Sequence, residues 1–264
     1  METTEYLQFE NYDIPMIISI PDMDKPNYPC LIMLHGFMAY KEGDGFLFRV
    51  MARRFAKQGI ATIRFDFCSM GESRGSREKY GLEQMLNETE EVYRFASVYA
   101  KIDSSKIGLM GHSLGGRAAV LCTQLNPICI VTLNGALDES MEGLQKQWKK
   151  DECLKYGHAI MKTSEGNPQL LYPKFFNDLN AYHIADTMNH YRGSVLICIG
   201  KDDPTVDPQV SINFYNKMDK NRCQMLTIDN ANHTFNAKTR SYEKVNELID
   251  DMLPWLIMHL AKTV

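Results

Sequence analysis

A serine stands between glycines where an apolar segment gives way to a segment of helical character. In the stretch GLMGHSLGGRAAV, Gly111 lies two residues before Ser113 and Gly115 two residues after it. This G-x-S-x-G spacing is typical of a tight strand-to-helix turn that holds a nucleophilic hydroxyl at the top of a sheet, at the positive end of a helix. Glycines there can also serve close packing or phosphate binding. The spacing matches neither a dinucleotide-binding nor a Walker A loop, which favours the nucleophile.

A serine hydroxyl is a poor nucleophile until a base removes its proton, and histidine is the usual base. Of the seven histidines, His233 is placed best, because it lies in the polar loop DNANHTFN between the last apolar run and a C-terminal helical segment. His112 adjoins the serine, but we expect it to point elsewhere on the turn. The other histidines that we considered lie in a long aromatic segment or in the last helical segment: His158, His183, His190 and His259.

The base needs an acid that orients it and stabilises its charged form. The preceding apolar run continues as SVLICIGKDDPTVDP, in which Asp202, Asp203 and Asp207 compete for this role. Asp203 is favoured, because Gly200, Asp203 and Val206 show the spacing Gly, two residues, Asp, two residues, Val that is common in such loops. The predicted order along the chain is therefore serine, acid, histidine.

The oxygen of an attacked carbonyl gains negative charge and requires backbone donors close by. One donor should be the N–H of Leu114, directly after the serine, and the other should come from the loop that follows the run PCLIMLHG. His35 and Gly36 make that turn, and the N–H of Phe37 is the expected second donor.

Short apolar runs rich in β-forming residues alternate with longer segments of helical character, which predicts a mostly parallel sheet with helices on both faces. The predicted strands are MIISIP, PCLIMLHG, ATIRFDF, KIGLMGHS, ICIVTLNG, SVLICIG and QMLTIDN. The predicted helices cover residues 46–58, 82–101, the run after Ser113, 209–218 and 242–260.

Residues 134–192 interrupt this alternation, because nearly sixty residues are far more than one crossover between strands needs. We interpret the segment as a cap inserted between two parts of one core, residues 1–133 and 193–264. The alternative is a helical excursion that touches no ligand. Its aromatic residues suggest a pocket lined by rings: Trp148, Tyr156, Tyr172, Phe175, Phe176, Tyr182 and Tyr191.

The composition favours a protein that acts on small molecules. The chain has 264 residues, 44% of them hydrophobic, and a net charge of −4. Since no patch dense in Lys and Arg is present, we expect no nucleic-acid partner. No recognisable set of metal ligands or cofactor motif appears, so we expect no metal and no organic cofactor.

The start METTEYLQFENYD has neither a basic nor an apolar region of a secretory signal, so we expect a cytoplasmic location. The seven cysteines are odd in number and show no C-x-x-C pair, which predicts reduced, buried thiols. The run MLPWLIMHL is too short to span a bilayer and should form a helix on the core. We expect no membrane association, and exposed apolar residues on that helix would permit a homodimer.

The stretches HGFMAYKEGDG, RFDFCSMGES, GHSLGG, GKDDPTV and NHTF together resemble the α/β-hydrolase fold. Within it, the chain is similar to the bacterial feruloyl and cinnamoyl esterases with a short inserted cap. The resemblance implies a triad of Ser113, Asp203 and His233, with Phe37 and Leu114 as the oxyanion hole.

These residues lead us to expect a serine carboxylic ester hydrolase that works through an acyl-enzyme, on a small-molecule ester of hydroxycinnamoyl, other small aromatic or short-acyl type. Two other functions remain open. A prolyl-oligopeptidase-like peptidase or a thioesterase would use the same three residues. A ligand-binding protein could keep the fold without turnover, although such proteins typically lose a triad member.

Overall fold

The central element of the computed structural model, which describes residues 1–163 and 166–261, is an eight-stranded sheet. Its strand order is β1-β2-β4-β3-β5-β6-β9-β10. Neighbouring strands pair in parallel along β4, β3, β5, β6, β9 and β10. Strands β1 and β2 form an antiparallel hairpin at one edge, and β2 pairs antiparallel with β4. The strands are β1 (Glu2–Phe9), β2 (Tyr12–Ser19), β3 (Tyr28–Leu34), β4 (Ala61–Phe65), β5 (Ile102–His112), β6 (Cys129–Leu133), β7 (Ala159–Lys162), β8 (Pro168–Leu171), β9 (Ser194–Gly200) and β10 (Cys223–Ile228).

Helices cover both faces of this sheet, which confirms the predicted α/β fold. Helices α1 and α9 pack on one face, and α2, α3 and α8 contribute to the core on the other. The α-helices are α1 (Leu47–Ala56), α2 (Leu82–Val98), α3 (Leu114–Leu121), α4 (Glu142–Gln147), α5 (Lys150–Tyr156), α6 (Pro173–Ala181), α7 (Ile184–Met188), α8 (Pro208–Lys217) and α9 (Glu243–Ala261). Positions 164–165 and 262–264, which fall in the predicted inserted segment and the second core part, lie outside the described residues.

The two strands β1 and β2 show what the sequence did and did not reveal. The run MIISIP was recognised because both of its faces are apolar, and β2 is almost wholly buried. Strand β1 was not predicted. Its residues alternate between exposed and half-buried, and it forms only by pairing with β2 from Glu2 opposite Ser19 to Phe9 opposite Tyr12. An edge strand of this kind carries little hydrophobic signal of its own.

The last helix α9 lies on the core as predicted, although Pro254 is inside it. One stripe of its side chains is fully buried at helical spacing: Val245, Leu248, Ile249, Met252 and Leu256. Each such side chain contributes on the order of 1.5–3 kcal/mol when it is removed from water. Ile257 and Met258 are exposed on the opposite side. The possible homodimer stays a prediction. The exposed side chains of Ile257 and Met258 form a small apolar surface that such a dimer could bury.

Residues 134–192 contain α4 to α7 and a separate hairpin of β7 and β8. This segment is anchored by the buried Arg117 of α3, which donates from Nη1 to Asp138 O at 2.7 Å and from Nη2 to Tyr182 O at 3.0 Å. One buried guanidinium therefore ties the beginning and the later part of the segment to the central helix. Its assignment as a cap remains a proposal.

The turn between β5 and α3 requires glycine for steric reasons. A methyl group on Gly115 would lie 2.0 Å from Leu34 O and 2.5 Å from His35 O, and one on Gly111 would lie 2.1 Å from Gly115 O. Backbone atoms cannot move aside as the end of a flexible side chain can. Helix α3 can therefore begin directly against the end of β3 only if these positions lack Cβ atoms.

We expect Gly115→Ala to lower the free energy of unfolding by about 3 kcal/mol or more, because its Cβ would meet backbone oxygen atoms. The matched control is Gly143→Ala in α4, where a methyl group has no neighbour within 4 Å. This control should be neutral or stabilising by up to about 1 kcal/mol, as for glycine to alanine in a helix. Denaturant unfolding measures both, and equal small effects would show that the turn can relax.

Candidate active site

Ser113 lies at the tight turn that its neighbours predicted. Its backbone has φ 54° and ψ −120°, a conformation that non-glycine residues rarely adopt. Ser113 N donates to Leu133 O at 2.9 Å, and Ser113 O accepts from Gly116 N and Ala136 N at 2.9 and 3.0 Å. These bonds to the end of β6 and to α3 hold the strained residue in place, as is common at functional sites.

His233 and Asp203 are brought together from two loops at the same edge of the sheet. His233 Nδ1 lies 2.7 Å from Asp203 Oδ2, and the side chains are 15% and 1% exposed. The other carboxylate oxygen of Asp203 accepts from the backbone N–H groups of Thr205 and Val206 at 2.7 and 3.1 Å. This bonding fixes the carboxylate, and Nδ1–H donated to it leaves Nε2 of His233 as the proton acceptor.

The two competing carboxylates lie elsewhere. Asp202 is exposed. Asp207 caps α8 by accepting from Gln209 N at 2.9 Å. Of the three acids, the geometry therefore places only Asp203 in contact with His233.

The acid loop and the histidine loop pack closely because of Gly200 and Asn134. A methyl group on Gly200 would lie 2.4 Å from Ala231 O. Asn134, which is buried directly after β6, accepts from Gly200 N at 2.7 Å. Its Nδ2 donates to the carbonyl oxygens of His233 at 2.9 Å and Asn232 at 3.2 Å. One side-chain amide thus joins both loops.

His112 points toward His233, which corrects our expectation that it points elsewhere on the turn. Its Nε2–H donates to His233 O at 2.8 Å, and the two ring centroids are 4.7 Å apart. Burial and the nearby imidazole of His233 lower the pKa of His112 to about 4. His112 is therefore neutral at ordinary pH. It packs against the candidate base without competing with it for a proton.

The expected oxyanion donors belong to the residue after Ser113 and to the turn after β3, where a methyl group on Gly36 would lie 3.2 Å from Ser113 Cβ. Leu114 is the first residue of α3, where backbone N–H groups lack partners within the helix. The turn that carries Phe37 is fixed by His35, whose Nε2 accepts from Phe67 N at 3.1 Å and whose Nδ1 donates to Gly36 O at 2.9 Å. The loops after β3 and β4 are thereby held together beside the serine.

Ser113 and His233 face one cavity of about 350 Å³, which we call the Ser113 cavity. In the described part of the chain, Ser113 Oγ and His233 Nε2 are not hydrogen bonded. Such contacts often tighten only when substrate is present. The cavity is lined by residues of the core loops and of the 134–192 segment, among them Phe37, Asp44, Trp148, Lys162, Thr163, Thr205 and Lys238.

Of the aromatic residues that were expected to line a pocket, the structure places Trp148 in the lining of the Ser113 cavity. Phe175 and Phe176 are fully buried and pack in the core, with Phe175 stacked on Tyr80 at 5.5 Å. Tyr191 donates to Pro127 O at 2.8 Å. These three rings hold the segment on the core, whereas Tyr156 is exposed.

Asn134 and His112 were missed as site residues by sequence reasoning. A signal for Asn134 existed, because a polar residue directly after a buried strand of a parallel sheet lies at the edge where ligands bind. The hydrogen bonds to His233 O could not be inferred, because they join residues about a hundred positions apart.

Within residues 1–163 and 166–261, no group of three His, Cys, Asp or Glu side chains is arranged to hold a metal ion. The same residues include no helix of the length and hydropathy that a membrane span requires. All seven cysteines are buried and free, as predicted.

Among the known proteins to which the chain is similar are three that bear on its fold and function. Est1E from Butyrivibrio proteoclasticus, solved with bound ferulic acid, shares the fold with a TM-score of 0.81 and 19% identity, over 98% of this chain and 100% of that one. An uncharacterized 31.7 kDa protein in the traX-finO intergenic region of Escherichia coli is 35% identical over 89 residues. Thiohydrolase aneE of Aspergillus aculeatus is 33% identical over 99 residues. These segments cover 34% and 37% of this chain, and 30% of each relative's length.

The parallel sheet with helices on both faces, together with the structural similarities, shows the α/β-hydrolase fold. The profile of the prolyl oligopeptidase family matches residues 77–263, which is more than half of the chain. The chain belongs to the prolyl oligopeptidase family.

We expect Asn134→Asp to lower kcat on the order of 10²-fold with little change in KM, because the loss of Nδ2–H would let His233 shift. Aspartate tolerates the φ of 45° at this position and still accepts from Gly200 N, so the backbone need not change. Steady-state kinetics measure the effect, with Asn213→Asp on the exposed face of α8 as control. An unchanged kcat in folded Asn134→Asp would contradict this positioning role.

We expect His112 to make stability depend on pH. Its pKa falls from 6.5 to about 4 on folding, so the unfolded chain takes up a proton first as the pH decreases. Between about pH 7.5 and about pH 5, this difference should remove about 2 kcal/mol of stability from the wild type but not from His112→Gln.

Denaturant unfolding of both proteins at the two pH values measures this difference. Burial also lowers the pKa of His35 and raises that of Glu88 to about 7, but both groups are present in both proteins and cancel in the comparison. Equal losses in the two proteins would show that His112 is protonated in the folded state.

Proposed function

We propose that the chain is a serine carboxylic ester hydrolase that acts through an acyl-enzyme on small aromatic or short-acyl esters. The observation that carries this proposal is the 2.7 Å contact of His233 with Asp203 at the edge of the cavity into which Ser113 opens. The three side chains come from loops after β5, β9 and β10, in the order that the nucleophile turn predicted. Each has the chemical role that acyl transfer requires.

In this mechanism, His233 Nε2 takes the proton of Ser113 as Oγ attacks the ester carbonyl carbon. The N–H groups of Phe37 and Leu114 stabilise the oxyanion, and Asp203 stabilises the imidazolium. His233 then gives the proton to the departing alcohol as the acyl-enzyme forms. Water gives a proton to the same imidazole as it attacks the acyl carbonyl, and the imidazole returns a proton to Ser113 Oγ as the acid departs. The catalytic groups of these steps are side chains and backbone groups of the protein, and water is the second reactant.

The acyl preference follows from the rings beside the serine. Phe37 and Trp148 both line the Ser113 cavity, with ring centroids 4.5 Å apart and an angle of 22° between the planes. Stacked rings offer a flat apolar surface, on which a planar acyl group would gain buried area and ring contacts. The likeness to Est1E, solved with ferulic acid, agrees with a planar acid. We further propose that residues 134–192 form a cap over the Ser113 cavity. Three residues of this segment line that cavity: Trp148, Lys162 and Thr163.

Thioester hydrolysis is the second candidate. It is favoured by the similarity to thiohydrolase aneE, and the same acyl-enzyme would form from a thioester. The two activities differ in the leaving group, since a thiolate departs without the proton that an alkoxide needs. Loss of the proton donor His233 should therefore slow release of an alcohol more than release of a thiol.

A fluorophosphonate probe tests the nucleophile directly, because attack by Ser113 Oγ expels fluoride and leaves a stable phosphonate ester. We expect mass spectrometry to locate one adduct on Ser113 in the wild type and none in Ser113→Ala. The same substitution should lower ester turnover by a factor on the order of 10⁴ or more. The control is Ser105→Ala, which changes an exposed serine of β5. Full activity in Ser113→Ala would end the assignment.

The neighbouring aspartates supply a matched pair for the acid. Asp203→Asn should lower turnover on the order of 10⁴-fold, because the amide would favour the wrong tautomer of His233. Asp202→Asn removes the same charge from an exposed position and should have little effect.

Rates for acetyl, butyryl and hydroxycinnamoyl esters, matched thioesters and peptide anilides rank the candidate substrates. Hydrolysis of anilides alone would replace the ester proposal by a peptidase.

A further inference from the structure

A second cavity adjoins the Ser113 cavity. It has a volume of about 270 Å³, and Ala39 and Thr163 line both. We call it the Arg77 cavity. Its walls come from the loops after β3 and β4, from Arg77 and from the β7–β8 hairpin, and its polar lining includes Ser69, Arg77, Thr163, Asn167 and Gln169. No aspartate or glutamate among the described residues lines it.

The loops that form one wall of this cavity are held by the buried Asp66. Its Oδ1 accepts from Lys41 N at 2.7 Å, and its Oδ2 accepts from Glu72 N at 2.9 Å and Lys41 Nζ at 2.6 Å. A methyl group on Gly71 would collide with this carboxylate at 2.3 Å. The loops after β3 and β4 are therefore fixed to each other, and the wall of the cavity is preformed.

Arg77 differs from the other cations that this region buries. Arg64 pairs with Glu2 and Glu42, and Lys41 pairs with Asp66. Arg77 is half-buried, and within the described ranges no carboxylate oxygen lies within 4.0 Å of it.

The contacts of Arg77 are with neutral groups. Nη2 donates to Gln169 Oε1, Nη1 lies 3.6 Å from Met70 Sδ, and the guanidinium stacks over the Tyr80 ring at 5.7 Å. Burial lowers the pKa of Arg77, but a guanidinium keeps its charge at neutral pH. A cation that is partly removed from water without an opposite charge is costly.

A second polar group of this cavity lacks a partner. Ser69 Oγ is buried and makes no hydrogen bond within the part of the chain that the structure describes. Ser69 also has a φ of 61°, which few non-glycine residues adopt. Ser69 lines the cavity. The cavity thus offers a charged donor, a hydroxyl and the side-chain amides of Asn167 and Gln169, with no negative charge among the described lining residues.

We propose that the Arg77 cavity binds a carboxylate of the substrate, so that the ester cleaved at Ser113 carries an acidic group on its acyl or alcohol part. This inference rests on the proposed ester hydrolysis. A carboxylate matches the planar fork of a guanidinium and replaces water that Arg77 loses on burial. The shared residues Ala39 and Thr163 place the two cavities side by side, so one substrate can reach both. The substrate class is then the half-esters of dicarboxylic acids or the acyl esters of hydroxy acids.

Matched neutral and anionic esters test this specificity. One series holds ethyl half-esters of aliphatic and aromatic dicarboxylic acids with increasing spacer length, each beside the ester whose free acid is replaced by a carboxamide. A second series holds acetyl esters of hydroxy acids beside their hydroxy-amide counterparts. For each pair, the ratio of kcat/KM for the carboxylate to that for the amide is measured in wild-type protein.

Two substitutions alter the charge at the cavity in different ways. Arg77→Gln removes the cation, and Gln169→Glu keeps an acceptor for Arg77 while it supplies an internal carboxylate. Each should lower the preferred pair's ratio on the order of 10- to 100-fold, as expected for loss of a charge-assisted hydrogen bond. The rate for the amide partner should change little. Arg74→Gln is the matched control, because it removes the same charge from an exposed residue of the same loop.

The outcomes separate this inference from the proposed function. If amide-bearing esters are hydrolysed at Ser113 but neither Arg77→Gln nor Gln169→Glu lowers the ratio in either series, the carboxylate site is wrong and the esterase stands. If Arg74→Gln lowers the ratio as much as Arg77→Gln, the effect is general electrostatics and the site is again wrong. If the wild type hydrolyses no ester of either series but does hydrolyse hydroxycinnamoyl or butyryl esters, the carboxylate site is wrong and the esterase stands. If it hydrolyses none of these esters, both proposals fail. Thermal unfolding of each variant confirms that it is folded.

Discussion

The backbone contact between the ends of β3 and β5 and the start of α3 is the constraint on which the site depends. Gly115 approaches Leu34 O so closely that no side chain fits between them. At this contact Ser113 has a positive φ, its N–H donates to Leu133 O at the end of β6, and its C=O accepts from Gly116 N in α3. The same approach sets the distance between the turn after β3, which carries Phe37, and the first free N–H of α3. The candidate nucleophile and the proposed oxyanion donors are therefore brought close together by one steric condition.

A second condition concerns the histidine, which lies on a loop rather than on a regular element. The carbonyl oxygen of His233 accepts from both Asn134 and His112, while its side chain donates to Asp203. The loop is thus held through its backbone on one side and through its ring on the other. Buried hydrogen bonds of this kind are strongly directional, and a donor left without its acceptor is costly. That cost favours a single arrangement of the loop, although the loop itself has no regular structure.

The segment between β6 and β9 combines two tasks that its composition does not distinguish. Phe175 and Phe176 attach it to the core, whereas Trp148 lines the Ser113 cavity. The β7–β8 hairpin of the same segment brings Gln169 to Arg77, which comes from the loop between β4 and α2. In the proposed function, loops at the ends of the parallel strands carry the residues of acyl transfer. The segment and the loops that it contacts select the substrate. This division explains how one set of acyl-transfer residues can serve different esters.

The sequence by itself determined the parallel sheet and the turn at Ser113, because apolar periodicity and the glycine spacing are local properties. It also indicated Asp203 and His233 through their order and their places after β9 and β10. It did not reveal β1, whose pairing with β2 supplies what its own residues lack. Only the tertiary structure decided that His112 turns toward His233 and that Asn134 joins two loops. Nor could a pattern show that Trp148 faces a cavity while Phe175 is buried, because the packing of distant elements gives each residue its neighbours.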